Sequence, residues 1–175
     1  MRKKRNLIEG AAYHVTSRTN DKVRIFDKNS GQKLMILTLE EAKEKYGFRL
    51  HNFCIMPNHI HLLMTPSNGT SLSRIVQSIK TRSAKRWNCI HGSKDHLWGE
   101  RFFSRAMKDA HDYFLVYDYI EQNPVKAGLV GNPADWEASG AYYIANNISD
   151  LVDYLPFERE RYIKLLPQPV TVTFL

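Results

Sequence analysis

A chain of 175 residues, 43% of them hydrophobic, can bury one core, and no run of about 18 apolar residues is present to cross a membrane. Two cysteines, Cys54 and Cys89, without Cys-x-x-Cys spacing, argue against a disulfide framework. The net charge of +7 favours a polyanionic partner, nucleic acid before membrane surface.

The basic start, Arg2-Lys3-Lys4-Arg5, lacks a following apolar segment, so a cytoplasmic location is expected. Met1 to Asn6 reads either as a solvated terminus or as a phosphate-contacting arm. From Ala11 to Thr19, Tyr13, Val15 and Ser17 alternate with His14, Thr16 and Arg18, which predicts a strand with one polar face. Asn20-Asp21-Lys22 is a turn. A helical pattern follows Gly31, with Leu34, Ile36, Leu37, Ala42 and Tyr46 apolar, and ends at Gly47.

Phe48 to Met56 and His59 to Thr65 predict a β-hairpin across Pro57-Asn58. On the second strand His59 and His61 are two residues apart and share a face, while Ile60, Leu62 and Met64 point the other way. Two imidazoles so spaced can hold one divalent cation with help from elsewhere, or can simply be polar residues on the wetter face of a sheet.

A long helix is expected after Thr70 or Ser71, with Leu72, Ile75, Val76, Ile79, Ser83, Trp87 and Ile90 as its buried stripe. Between Ser67 and Lys94 there is no acidic residue. Arg74, Arg82 and Lys85, with Ser78 and Thr81, therefore make a face suited to a phosphate backbone, or a solvated helix face. A fourth strand is predicted over roughly Arg101 to Lys108. It places Arg101, Phe103 and Arg105 together, where arginines and an aromatic could meet single-stranded nucleotides. Core phenylalanines with arginines at the rim would give the same pattern.

Asp109 is expected to N-cap a helix with Asp112 as its capping-box partner. Tyr113, Val116, Tyr117 and Ile120 form the buried stripe, Tyr119 and Asn123 lie one above the other beside it, and Pro124 should end the helix, although Asn123-Pro124 can also start a short helical turn that Gly128 stops. Pro133 to Trp136 and Tyr142-Tyr143 look like a packed C-terminal segment. The tail, with Pro156, Pro167 and Pro169, either wraps the domain or lacks fixed structure.

The order of elements predicts an α+β domain: an antiparallel sheet with helices on one face, ferredoxin-like or RRM-like. Residues 1–175 are expected to form one domain, with a core over about 10–145 and a C-terminal extension over 146–175. With these residues in place the chain resembles the HUH single-tyrosine transposases. The resemblance rests on Met56-Pro-Asn-His59-Ile-His61-Leu-Leu, Trp98-Gly-Glu-Arg101-Phe-Phe and Asp118-Tyr119-Ile-Glu-Gln-Asn123-Pro124-Val-Lys-Ala-Gly-Leu-Val. The opening Tyr13-His-Val-Thr-Ser-Arg18 fits it too. The third motif looks most like the REP-associated tyrosine transposases.

The resemblance implies metal-dependent cleavage and strand transfer of single-stranded or hairpin DNA. His59 and His61 would hold Mg²⁺ or Mn²⁺, Tyr119 would be the nucleophile that forms a 5′-phosphotyrosine, and Asn123 would match the place of a third ligand. Lys126 or Arg105 could assist ionisation of the tyrosine. Arg18, Arg74, Arg82, Lys85, Arg101 and Arg105 are the candidate DNA contacts. Relatives act as monomers or as homodimers. The alternative is a non-catalytic single-stranded nucleic-acid-binding module of the same fold, which has no need of His59, His61 and Tyr119 together.

Overall fold

Alternation along the strands sorts their side chains onto an apolar face and a histidine face, and different helices cover the two. The structure is a computed structural model that describes residues 8, 10–67, 69–148 and 151–153. The expected basic arm over Met1 to Asn6 and the tail beyond Asp153 lie outside the described residues.

Four strands, β1 (Tyr13–Arg18), β2 (Arg49–Met56), β3 (His59–Thr65) and β4 (Phe103–Ala106), form one sheet in the order β2-β3-β1-β4. Every neighbouring pair is antiparallel. The expected α+β architecture and β2–β3 hairpin are therefore present. Strand β4 is shorter than its alternation suggested, because pairing with β1 runs only from Phe103 opposite Thr16 to Ala106 opposite Tyr13.

Val15, Phe53, Ile55, Ile60, Leu62 and Met64 bury against α1 (Asn29–Tyr46) and α2 (Leu72–His91). Ser71 caps α2 by accepting from the Arg74 amide, and Gly92 closes it in the left-handed region. Helix α1 starts earlier than expected and contains Gly31. A Cβ there would collide with the Ile25 carbonyl oxygen, so glycine permits the preceding loop to lie against the helix.

Helix α3 (Ala110–Lys126) packs on the opposite, histidine-bearing face, which corrects the expectation of helices on one face only. The cause is visible in its stripe. Tyr113, Val116, Tyr117 and Ile120 meet Cys54, Met56 and Leu63, which the pleat turns away from α1 and α2. Asp109 caps α3 by accepting from the Asp112 amide, as expected.

Pro124 does not end the helix. The backbone continues to Lys126, and the Leu129 amide then donates to the Pro124 carbonyl and the Gly128 amide to the Val125 carbonyl. With Gly128 at φ 67° this is a Schellman stop, one turn past the proline.

The outer edge of β2 is covered rather than open. Ile55 donates its amide to the Ala138 carbonyl, and Leu50 and Asp153 exchange bonds of 2.6 and 2.8 Å. Lys43 ties Asp153 back to α1 at 3.0 Å. Tyr142 and Tyr143 fall in a short helix, α4 (Gly140–Ala145). Edge coverage of this kind removes a template for unwanted strand pairing.

Candidate active site

The strand register brings the polar residues of β1 beside the histidines of β3. Thr16 stands opposite His61 and Arg18 opposite His59. His14 is therefore diagonal to His61 on the same face. The His59 and His61 rings meet edge-on with centroids 4.9 Å apart, and the His14 and His61 rings stack at 5.3 Å.

One nitrogen of each ring is engaged. His61 Nδ1 lies 3.0 Å from His14 Nε2, and His59 Nδ1 lies 2.7 Å from Asn58 Oδ1. Asn58 is itself fixed, because its Nδ2 donates to the Lys22 carbonyl and its own carbonyl accepts from Thr19. His61 Nε2 is buried and makes no hydrogen bond.

Burial, followed by the Arg18 guanidinium, pushes His59 down to about 4. Burial, then His59, His14 and Arg18, pushes His61 down to about 3. Burial and Arg105 lower His14 to about 4. All three rings are neutral at pH 7, the state in which an imidazole nitrogen can donate its lone pair.

Tyr119 comes from α3. Since Tyr117 and Ile120 bury, Tyr119 is turned to the edge of the interface and stays 43% exposed. Its ring stands perpendicular to His61 at 5.5 Å and meets His14 edge-on at 6.0 Å. Lys126 Nζ lies 5.4 Å from the ring centre of Tyr119. Tyr113 and Tyr117 are buried, and burial raises the Tyr113 phenol, so neither matches Tyr119 as an accessible nucleophile.

These groups open onto a cleft of about 940 Å³ between the end of the sheet, the turn at 20–22 and the segment 99–103. Arg18, Arg101 and the 59%-exposed Phe103 line it together with His14, His59, His61 and Tyr119. Trp98 anchors the far wall. Its indole is buried and donates to Ser83 Oγ at 2.9 Å, while Asn20 and Gly99 bond across to Leu97 and Arg18. Phe102, beside Phe103 in sequence, is in the core instead.

The remaining candidates are dispersed. Arg105 faces the same side but holds Asp112 at 2.7 Å. Arg74 and Lys85 are exposed on α2, on the other side of the sheet, and Arg82 pairs there with Glu41 at 2.6 Å. Asn123 is turned onto its own helix, donating Nδ2 to the Tyr119 carbonyl at 2.7 Å.

The donor set fits a divalent cation. Two neutral imidazoles share one face, and His61 presents an orphaned, buried nitrogen there. Among the described residues no three His, Cys, Asp or Glu side chains form a ready-made metal cluster. Amide, water or substrate oxygens could complete such a shell, as is usual for Mg²⁺. Sequence reasoning gave no role to His14 or Asn58. Alternation had placed His14 on the histidine face, and Asn58 precedes the first histidine, but neither signal shows which nitrogen each would meet.

Residues 8–123 match the family described as "Transposase IS200 like". A REP-associated tyrosine transposase of Escherichia coli strain K12 is 31% identical over 100 residues, which are 57% of this chain and 58% of that protein. A Haemophilus influenzae protein provisionally given the same name is 32% identical over 110 residues, 57% of this chain and 62% of its own. The chain thus spans about three fifths of the length of these relatives. A solved structure of a REP-associated tyrosine transposase bound to a REP hairpin shares the fold, with a TM-score of 0.71 at 23% identity. That match covers 91% of this chain and 98% of the other. Among the described residues no helix is long and apolar enough to cross a membrane. On the match across residues 8–123, the chain belongs to the IS200-like transposase family.

Proposed function

We propose that this protein cuts and rejoins single-stranded DNA at a hairpin-bearing end through a covalent 5′-phosphotyrosine on Tyr119. The observation that carries the reading is the exposed Tyr119 ring set against His61 in a cleft rimmed by Arg18 and Arg101. The hairpin-bound relative supports hairpin DNA as the partner.

In this reading Arg18 and Arg101 seat the phosphates flanking the break, and Phe103 offers a face for an unpaired base. Tyr119 Oη loses its proton and attacks the scissile phosphorus in line. The new bond is phosphorus to Oη, and the bond broken is phosphorus to the 3′ oxygen, which leaves as a 3′-hydroxyl after taking up a proton. Attack by another 3′-hydroxyl on the phosphotyrosine reverses these steps, returns a proton to Tyr119 and joins a new end. Lys126, over the tyrosine ring, puts a positive charge next to the attacking group. His59 and His61 would hold Mg²⁺ or Mn²⁺, which when bound supplies Lewis-acid activation of the phosphate. Asn123 Oδ1 could join them while its Nδ2 stays bonded to the Tyr119 carbonyl.

A tyrosine suits strand transfer because a phenol, with reference pKa near 10, is also a tolerable leaving group. The test is incubation with end-labelled single-stranded hairpin DNA and Mn²⁺, followed by a denaturing protein gel. Label from the 3′ side of the break should stay on wild-type protein and vanish with Tyr119→Phe. Tight binding across a hairpin library, with no covalent band, would instead favour the binding module.

A further inference from the structure

We infer that His14 is a positioning residue that fixes the tautomer of His61, and this rests on the reading of His59 and His61 as a metal pair. An imidazole can offer a lone pair at Nε2 only when its proton sits on Nδ1. Something must therefore accept the Nδ1 proton.

For His59 that group is Asn58. The Asn58 Nδ2 donates to the Lys22 carbonyl, so its Oδ1 faces His59 Nδ1 at 2.7 Å and can only accept. His59 therefore carries its proton on Nδ1. For His61 the only group hydrogen-bonded to Nδ1 among the described residues is His14 Nε2, at 3.0 Å.

Two arrangements satisfy that bond, and the other end of His61 separates them. If His14 donated, His61 would carry its proton on Nε2. That nitrogen is buried and has no acceptor, and an orphaned buried N–H is costly and rare. If His14 accepts, Nε2 keeps a lone pair, and the two histidines of β3 present matching nitrogens. His14 is placed for this by register, diagonal to His61 on the adjacent strand, and its ring stacks on that of His61. Asn58 and His14 thus do the same work from different elements, one from the hairpin turn and one from β1.

The test uses full-length protein, first without metal. Nitrogen-15 correlation spectra of the histidine rings should show His61 protonated at Nδ1 and bare at Nε2. His14→Phe keeps a stacked ring but removes the acceptor, whereas His14→Gln restores an oxygen acceptor. Both should keep the wild-type amide spectrum elsewhere. In His14→Phe the His61 tautomer should become mixed. Mn²⁺ affinity, measured with the metal alone by titration calorimetry, should fall about 10- to 100-fold, the usual scale for losing such a partner. His14→Gln should recover most of it.

A His61 proton on Nε2 in the wild type would overturn the proposal. So would unchanged Mn²⁺ affinity in folded His14→Phe. So would a Mg²⁺-induced shift at a His14 nitrogen as large as that at His61 Nε2, since His14 would then be a ligand itself. Absence of Mn²⁺ binding in the wild type would defeat the metal reading, while the metal-free tautomer would still decide what His14 does.

Discussion

Tyr119 of α3 and His61 of β3 meet perpendicularly with ring centroids 5.5 Å apart, although 58 positions separate them in the chain. The contact follows from packing on either side of it. Ile120 and Tyr117 are drawn into the interface with Leu63 and Cys54, and Tyr119 is left at the rim beside the histidines. The helix is held by its apolar stripe, so the phenol need not be held by a hydrogen bond of its own.

Tyr119→Phe should therefore separate chemistry from folding. The ring contacts to His61 and His14 and the position of Lys126 survive. Stability should stay within about 0.5 kcal/mol of wild type, as for most half-exposed substitutions. Chemical denaturation and a hairpin-binding titration should be nearly unchanged, while the covalent adduct disappears. A loss of several kcal/mol would give Tyr119 a structural role instead.

Asn123 tests differently because its amide has two possible employments. Asn123→Ala removes the bond to the Tyr119 carbonyl and should cost about 1 kcal/mol, read by denaturation. If the residue also supplies an oxygen to the metal, Asn123→Asp should retain Mn²⁺-dependent adduct formation and Asn123→Ala should lose it. Equal activity in the two variants would confine Asn123 to capping its own turn.

Stability should fall on mild acidification. His51 is buried, bonded to Thr65 at 2.8 Å, and pushed down to about 4 by burial, then by Arg49. The unfolded chain takes up a proton near pH 6.5 while the folded protein resists until about 4. The stabilising effect of neutral His51 is thus complete above 6.5 and is lost as pH falls through this window. Each such histidine contributes a slope of at most about 1.4 kcal/mol per pH unit. His51→Gln should reduce the slope between pH 6.5 and 4 by up to that amount. An unchanged slope would show that His51 protonates normally in the folded state.

Salt dependence can locate the DNA. Arg18→Ala and Arg101→Ala should each weaken hairpin binding and reduce the slope of log affinity against log salt by about 0.7, the value for one single-strand phosphate. Arg74→Ala and Lys85→Ala ask whether the DNA also reaches α2 on the other side of the sheet. Arg82→Ala removes an ion pair with Glu41, so its effect should appear in stability before binding. Unaltered slopes for the two cleft arginines would place the DNA elsewhere.

Much of this site is written in local pattern. Period-two alternation put His14, Thr16, Arg18, His59 and His61 on one face, and the β1–β3 register then brought them together. The α3 stripe put Tyr119 beside, rather than within, the buried surface. Other features depend on contacts between distant segments. Alternation cannot say which face a helix will cover, so the choice of α3 for the histidine face emerges only when its stripe meets Leu63 and Met56. Likewise Arg82 looks like a free cation on a basic helix until Glu41 of α1 is seen against it. Phe102 and Phe103 are indistinguishable by type, yet Phe102, just before β4, packs in the core and Phe103, at its start, lines the cleft.

Mapping the site of attachment shows whether Tyr119 is the nucleophile. Protein and single-stranded hairpin DNA would be incubated with Mn²⁺, the adduct trimmed with nuclease and trypsin, and the peptide Asp109–Lys126 sequenced by mass spectrometry. This peptide carries Tyr113, Tyr117 and Tyr119 together, so fragmentation discriminates among them. A 5′-linked nucleotide phosphate is expected on Tyr119 alone. Attachment at another residue would contradict it, as would cleaved DNA with no attachment anywhere.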